Sequence, residues 1–161
     1  MAVQSEEILF FLSGGPFNND PEKSLGGEMS NAPLLSGING LFSNISPSQA
    51  ASGHISYRCL YVYNRSGTSS LKNAAISINH QARGGAMCFL GIPETNAVNS
   101  VAMQIFSSLQ EPTGVMWYPL SVNVGDLQPG DSIPVWIKRT VVGGIKPVQK
   151  DGITVIITGE S

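Results

Sequence analysis

Residues 53–67, Gly53-His54-Ile55-Ser56-Tyr57-Arg58-Cys59-Leu60-Tyr61-Val62-Tyr63-Asn64-Arg65-Ser66-Gly67, decide the fold class. Ile55, Tyr57, Cys59, Tyr61 and Tyr63 alternate with Ser56, Arg58, Leu60 and Val62, so an extended chain puts the first set on one face and the second on the other. This is the clearest strand in the sequence. Asn64 to Gly67 then ends it with turn chemistry, because Asn tolerates left-handed backbone and Gly adopts it freely.

Downstream the pattern repeats with variations. Ala74, Ile76 and Ile78 alternate against Ala75, Ser77 and Asn79, which predicts a second strand. Ala86–Ile92 is a short apolar run suited to a strand covered on both faces. Val101–Ser107 and Val115–Leu120 are weaker strand candidates, and Val98, Val101, Ala102, Ile105 and Leu109 leave a helix over 98–109 as the alternative. Gly125–Asp131 reads as a loop, followed by a strand over Ile133–Val141 and a last one over Ile153–Thr158. Pro134 has no N–H to give a ladder, so the start of its strand is expected at an edge or a bulge. About seven short strands separated by turns predict an all-β fold: an antiparallel β-sandwich over residues 53–161. Two details suggest an immunoglobulin-like version. One is the strand–Asn–Gly–strand segment 61–78, read as a hairpin; the other is Leu127-Gln128-Pro129-Gly130, a corner in which Leu plugs the core before the chain turns.

Upstream the texture differs. Residues 1–52 contain one short strand, Ile8–Leu12, and otherwise turn-rich Gly, Ser, Asn and Pro. They read as an extended N-terminal arm, ordered by contact with its own domain or with a neighbouring subunit.

Composition sharpens the picture. Only 12% of the 161 residues are charged, about half the usual share, and the net charge is −2. From Gly84 to Ile137 there is no Lys or Arg, which argues against a nucleic-acid partner. No apolar run reaches the ~20 residues of a membrane span, and acids precede Ile8–Leu12 where a signal peptide would be basic. A soluble chain made in the cytosol is the expectation, with Cys59 and Cys88 as free buried thiols in preference to a disulfide.

Little in the sequence points to chemistry. His54 and His80 read as solvated strand-end residues outside any metal-ligand spacing. No Gly-x-Ser-x-Gly elbow or phosphate loop is present, and the acids fall mainly in the arm and in turns. Asn18-Asn19-Asp20 reads as an Asx turn before Pro21 in preference to a calcium loop. The expectation is a protein that is not an enzyme and carries no cofactor or metal. Trp117 and Tyr118 could form a sugar-stacking platform, but a core or subunit contact is the preferred reading.

Three motifs near the start carry a resemblance: Phe10-Phe11-Leu12-Ser13-Gly14-Gly15, Asn18-Asn19-Asp20-Pro21 and Ser24-Leu25-Gly26-Gly27. Together with Leu41-Phe42, Tyr57–Val62, Trp136-Ile137-Lys138-Arg139-Thr140-Val141 and the closing Ile153–Glu160, they resemble a family of tailed-bacteriophage virion structural proteins. That resemblance implies a non-enzymatic component of the particle; the few charges and the long Gly/Asn/Ser-rich arm, suited to a surface covered by repeated partners, make a capsid decoration (cement) protein the leading expectation. Its implied partners are the major capsid protein, other virion proteins and further copies of itself. A tail or baseplate subunit and a carbohydrate-binding adhesion module are the alternatives. Phe10, Phe11, Leu12, Leu34, Leu35, Leu41, Phe42, Trp117 and Tyr118 are the expected interaction residues.

Overall fold

A computed structural model of the chain describes residues 8–33, 47–81, 86–119, 121–141 and 153–160. Nine strands are found there: β1 (Ile8–Ser13), β2 (Met29–Pro33), β3 (His54–Asn64), β4 (Leu71–Gln81), β5 (Ala86–Pro93), β6 (Val115–Tyr118), β7 (Ser121–Leu127), β8 (Ser132–Val141) and β9 (Ile153–Glu160). A short helix, α1 (Pro47–Ser52), precedes β3. The strands form two sheets, β2-β1-β3-β8-β5-β6 and β7-β4-β9, and the neighbours pair antiparallel throughout.

Period two explains how the sheets meet. Leu60 and Val62 of β3, Leu90 and Ile92 of β5, and Ile133, Val135 and Ile137 of β8 share one face of the large sheet. Against it pack Leu71, Ala74 and Ile76 of β4 with Val122 and Leu127 of β7, the inter-sheet core of a sandwich. The opposite face of the large sheet is also buried. Tyr57, Cys59, Tyr61 and Trp136 form a second core, roofed by Leu25, Met29, Ala102, Ile105 and Trp117. Ser56 to Val62 is consequently buried without a break. A central strand covered on both faces has no place for a surplus of charge, which accounts for part of the composition.

Residues 8–33, expected within an arm, are ordered on their own domain. β1 pairs with β3 from Ile8↔Asn64 to Leu12↔Leu60, and β2 adds itself outside β1. Among the described residues up to 52 there are thus two strands, a 3-10 turn (Pro21–Lys23) and the short helix α1, where one strand was expected. Beyond the end of β1, loop carbonyls finish the edge of β3: Cys59 donates its N–H to Ser24 O and Tyr57 to Ser108 O, each at 2.8 Å.

Three local expectations are corrected. The segment 94–114 is neither a strand at 101–107 nor a helix at 98–109; it is an irregular excursion with one bridge, Gly27↔Ala102. Several of its backbone groups go to tertiary partners, at Leu25, Gly27, Tyr57 and Ser132, and only short turns are closed within it; Asn96 and Asn99 adopt positive φ. The chain from Asn64 to Ser70 does not close a hairpin, because β3 and β4 lie in different sheets. Neither Asn64 nor Gly67 is left-handed; Asn64 ends β3 fully buried and works through its side chain. Pro134 sits on a central strand, yet the ladder to β5 ends at Gly91↔Trp136 and the next contact on that side is Asn99 with Ser132. Pro134 falls in the gap, where no N–H is required. Leu127 behaves as expected, fully buried ahead of the turn at Gly130, whose φ is 84°.

Candidate functional site

The expected interaction residues are scattered. Leu12 is buried in the inter-sheet core, Phe10 and Tyr118 pack against that core, and Phe11 packs against the second, edge-on to Tyr63 with ring centroids 5.9 Å apart. Trp117 lies across Gly91, where an added Cβ would meet its ring at 2.6 Å; Lys138 Nζ is 4.9 Å from the ring centroid and Tyr57 is tilted against it. Such a ring shields a glycine in the neighbouring strand and has little open face left. Leu34, Leu35, Leu41 and Phe42 lie outside the described residues. The Asn18 and Asp20 side chains serve the turn: Asn18 Oδ1 accepts from Asp20 N–H, and Asp20 Oδ1 from Glu22 N–H, both at 3.0 Å. Cys59 and Cys88 are buried and not bonded to each other, and burial pushes the Cys59 thiol well up.

A different apolar surface emerges on the irregular segment. Its inner side is fastened to the second core. Gly27 donates to Ala102 O (3.1 Å), Ile105 to Leu25 O (2.9 Å), and the Tyr61 hydroxyl accepts from Ala102 N–H (2.9 Å) while donating to Gly27 O (2.6 Å). Gly26, with φ 94°, comes so close that an added Cβ would stand 1.9 Å from Met103 O. Ala102 and Ile105 thereby point inward. Val101, Met103, Phe106 and Leu109 are left in water, Phe106 at 85% and Leu109 at 60% exposure. The tip is closed by its own bonds, Gln110 N–H to Ser107 O (3.0 Å) and Phe106 N–H to Gln110 Oε1 (2.9 Å), so these side chains sit on a fixed turn. Four exposed large apolar side chains on one anchored loop are the feature that soluble surfaces seldom carry without a partner. None of Val101, Met103, Phe106 and Leu109 is among the interaction residues expected from the sequence. The available signal was the absence of any charged residue from Thr95 to Gln110 in a run that fits neither period.

A polar cavity of about 300 Å³ lies beside that loop. On the inter-sheet face the apolar row stops abruptly: Leu60 is followed by Arg58 and Ser56, and Ile137 by Arg139, with Ser56 opposite Arg139 in the register. Arg58, Arg139 and Ser56 are all buried, and they line the cavity with His54. Gln49 of α1 and the loop residues Ser107, Ser108 and Leu109 complete it. His54 is thus half-buried, not a plain solvated strand end as expected. Its pKa is lowered by burial first, then by Arg139 and Arg58. His80 stands on β4 opposite Thr154, far along the chain from this group in the other sheet. Among the described residues lining the cavity there is no carboxylate, and its chemistry is that of hydrogen-bonding groups and positive charge. Among the described residues no cluster of metal-ligating side chains occurs, and no helix is long and apolar enough to cross a membrane. No protein-family model, no curated protein and no solved structure matches this chain.

Proposed function

We propose that this chain is a non-enzymatic structural protein of a bacteriophage virion, a capsid decoration (cement) protein whose body is an immunoglobulin-like sandwich. The observation that carries the reading is the anchored loop with Val101, Met103, Phe106 and Leu109 in water. Protein neighbours covering that loop would remove apolar surface at roughly 25 cal/mol per Å², a gain repeated at every copy in a symmetric particle. The low charge and the resemblance of the Gly/Asn/Ser-rich opening to virion structural proteins support the same reading. The Leu127 plug and the crossing from β3 to β4 between sheets are what favour the immunoglobulin-like description.

On this reading the partners are the major capsid protein and further copies of the chain, and the place of action is the virion. Trp117, pressed on Gly91 and under Lys138, favours a packing role over a sugar platform. The experiment is gentle dissociation of particles from the host that encodes the chain, followed by mass spectrometry of separated heads and tails. Hundreds of copies on heads support the cement role. Recovery in tails alone, in tens of copies or fewer, replaces it with the tail or baseplate reading.

A further inference from the structure

We infer that the cavity walled by Arg58, Arg139 and Ser56 is a binding site for a small oxyanion of the sulfate and phosphate type. The inference goes beyond the virion reading and does not depend on it. Arg58 and Arg139 reach the cavity from adjacent strands of one sheet face, at 5% and 4% exposure. A guanidinium presents a planar fork of N–H donors that matches an oxyanion, and withdrawal from water strengthens each such bond. The Ser56 Oγ, on a residue 3% exposed, is buried at the same wall and has no hydrogen-bond partner. An anion seated against Ser56 and the two guanidinium groups gives that hydroxyl an acceptor. It also offsets the mutual repulsion of the two guanidinium groups, since Arg139 works against the charged form of Arg58. Gln49, Ser107 and Ser108 add neutral hydrogen-bonding groups around the opening. The volume exceeds that of a bare anion and admits a phosphate group carried on a larger molecule as well as a free ion.

His54 supplies the reporter. It faces Arg58 and Arg139 across the cavity and Gln49 of α1, whose Nε2 lies 3.4 Å from its own Nε2. Burial and the two arginines lower its pKa, so an anion placed among them must make it easier to protonate.

Sulfate is the probe, because it stays doubly charged across the titration of histidine. The full chain is titrated with sodium sulfate at an ionic strength kept constant with chloride, and the His54 ring is followed by NMR, with His80→Gln distinguishing the two histidines. The expected result is a saturable shift and a His54 pKa that rises in sulfate relative to chloride. Ser56→Ala, which removes only an unpartnered hydroxyl, is expected to fold normally and to weaken sulfate about three- to tenfold. Arg139→Lys, which keeps the charge and loses the fork, is expected to weaken it about tenfold. Inorganic phosphate and glycerol 3-phosphate compete in separate arms. Stronger competition by the ester assigns a carried phosphate group, and stronger competition by phosphate a free ion. Identical His54 titrations in sulfate and chloride, or equal sulfate affinity in the wild type and both variants, overturn the inference.

Discussion

The carboxamide of Asn64 donates a hydrogen bond to the carbonyl of Leu127 at 3.0 Å, tying the end of β3 to the end of β7 across the two sheets. The same Nδ2 donates to Ser69 O at 3.0 Å, and Oδ1 accepts from Ser66 N–H at 3.0 Å. Asn64 O accepts from Gly130 N–H and Asn64 N–H donates to Asp131 O, each at 2.9 Å. One buried residue thus holds the β3–β4 crossing against the corner that follows the Leu127 plug.

Asn64→Ala removes three of these bonds, those to Ser69 O, Leu127 O and Ser66 N–H, from a buried site. The expected loss is about 2–3 kcal/mol, read as a lower denaturant midpoint with an unchanged slope. Asn64→Asp should cost more, because a carboxylate cannot donate to Leu127 O or Ser69 O and is buried besides.

Gly91→Ala sets a Cβ 2.6 Å from both the Trp117 ring and Val115 Cγ1. Overpacking of this kind is expected to cost about 1–3 kcal/mol. In a Trp117→Leu background the ring is gone, and a double-mutant cycle should return at least half of that cost as coupling between the two positions.

Gly26→Ala combines a left-handed backbone with a Cβ 1.9 Å from Met103 O. No side-chain rotation relieves a backbone clash, so the loop must lift. The predicted signature is local: faster hydrogen exchange at Ala102 and Ile105, whose amides bond to Tyr61 and Leu25, with the β3–β8 ladder still protected.

Tyr61 predicts an alkaline limit. Burial, ahead of all other causes, pushes its hydroxyl up to about 12, whereas the unfolded phenol ionises near 10. Between these values the unfolded chain holds fewer protons than the folded one. Stability is therefore full below pH 10 and falls as pH rises toward 12. Cys59, whose thiol burial also raises, adds to the decline in any variant that keeps it. The readout is the difference between proteins: Tyr61→Phe should be less stable than wild type at pH 8, because Gly27 O and Ala102 N–H lose their partner, and should lose less on going to pH 11.

Much of the sandwich is legible in the sequence because burial there follows period two. Leu60 with Val62 and Ala74 with Ile76 point to their cores through spacing alone, and Leu127 through its Pro-Gly corner. The second core is not legible in that way. Tyr57, Cys59 and Tyr61 announce a face, but what covers it is the segment 94–114, whose bonds run to Leu25, Gly27, Tyr57 and Tyr61 and leave no local period. The polar cavity is hidden for a related reason. Arg58 and Arg139 lie 81 positions apart in sequence (139 less 58) and meet only through the β3–β8 register, and nothing near either residue signals the other. The exposed apolar residues Phe106 and Leu109 are not legible either, because their exposure depends on Ala102 and Ile105 taking the inward positions.

The most direct measurement is rebinding of purified chain to particles stripped of it, wild type against Phe106→Ser. Phe106 touches water in the free protein, so the substitution should leave the unfolding free energy within about 0.5 kcal/mol of wild type. Wild type should rebind saturably in hundreds of copies per head and Phe106→Ser at least tenfold more weakly. Equal rebinding by both proteins, or none by the wild type, would contradict the account.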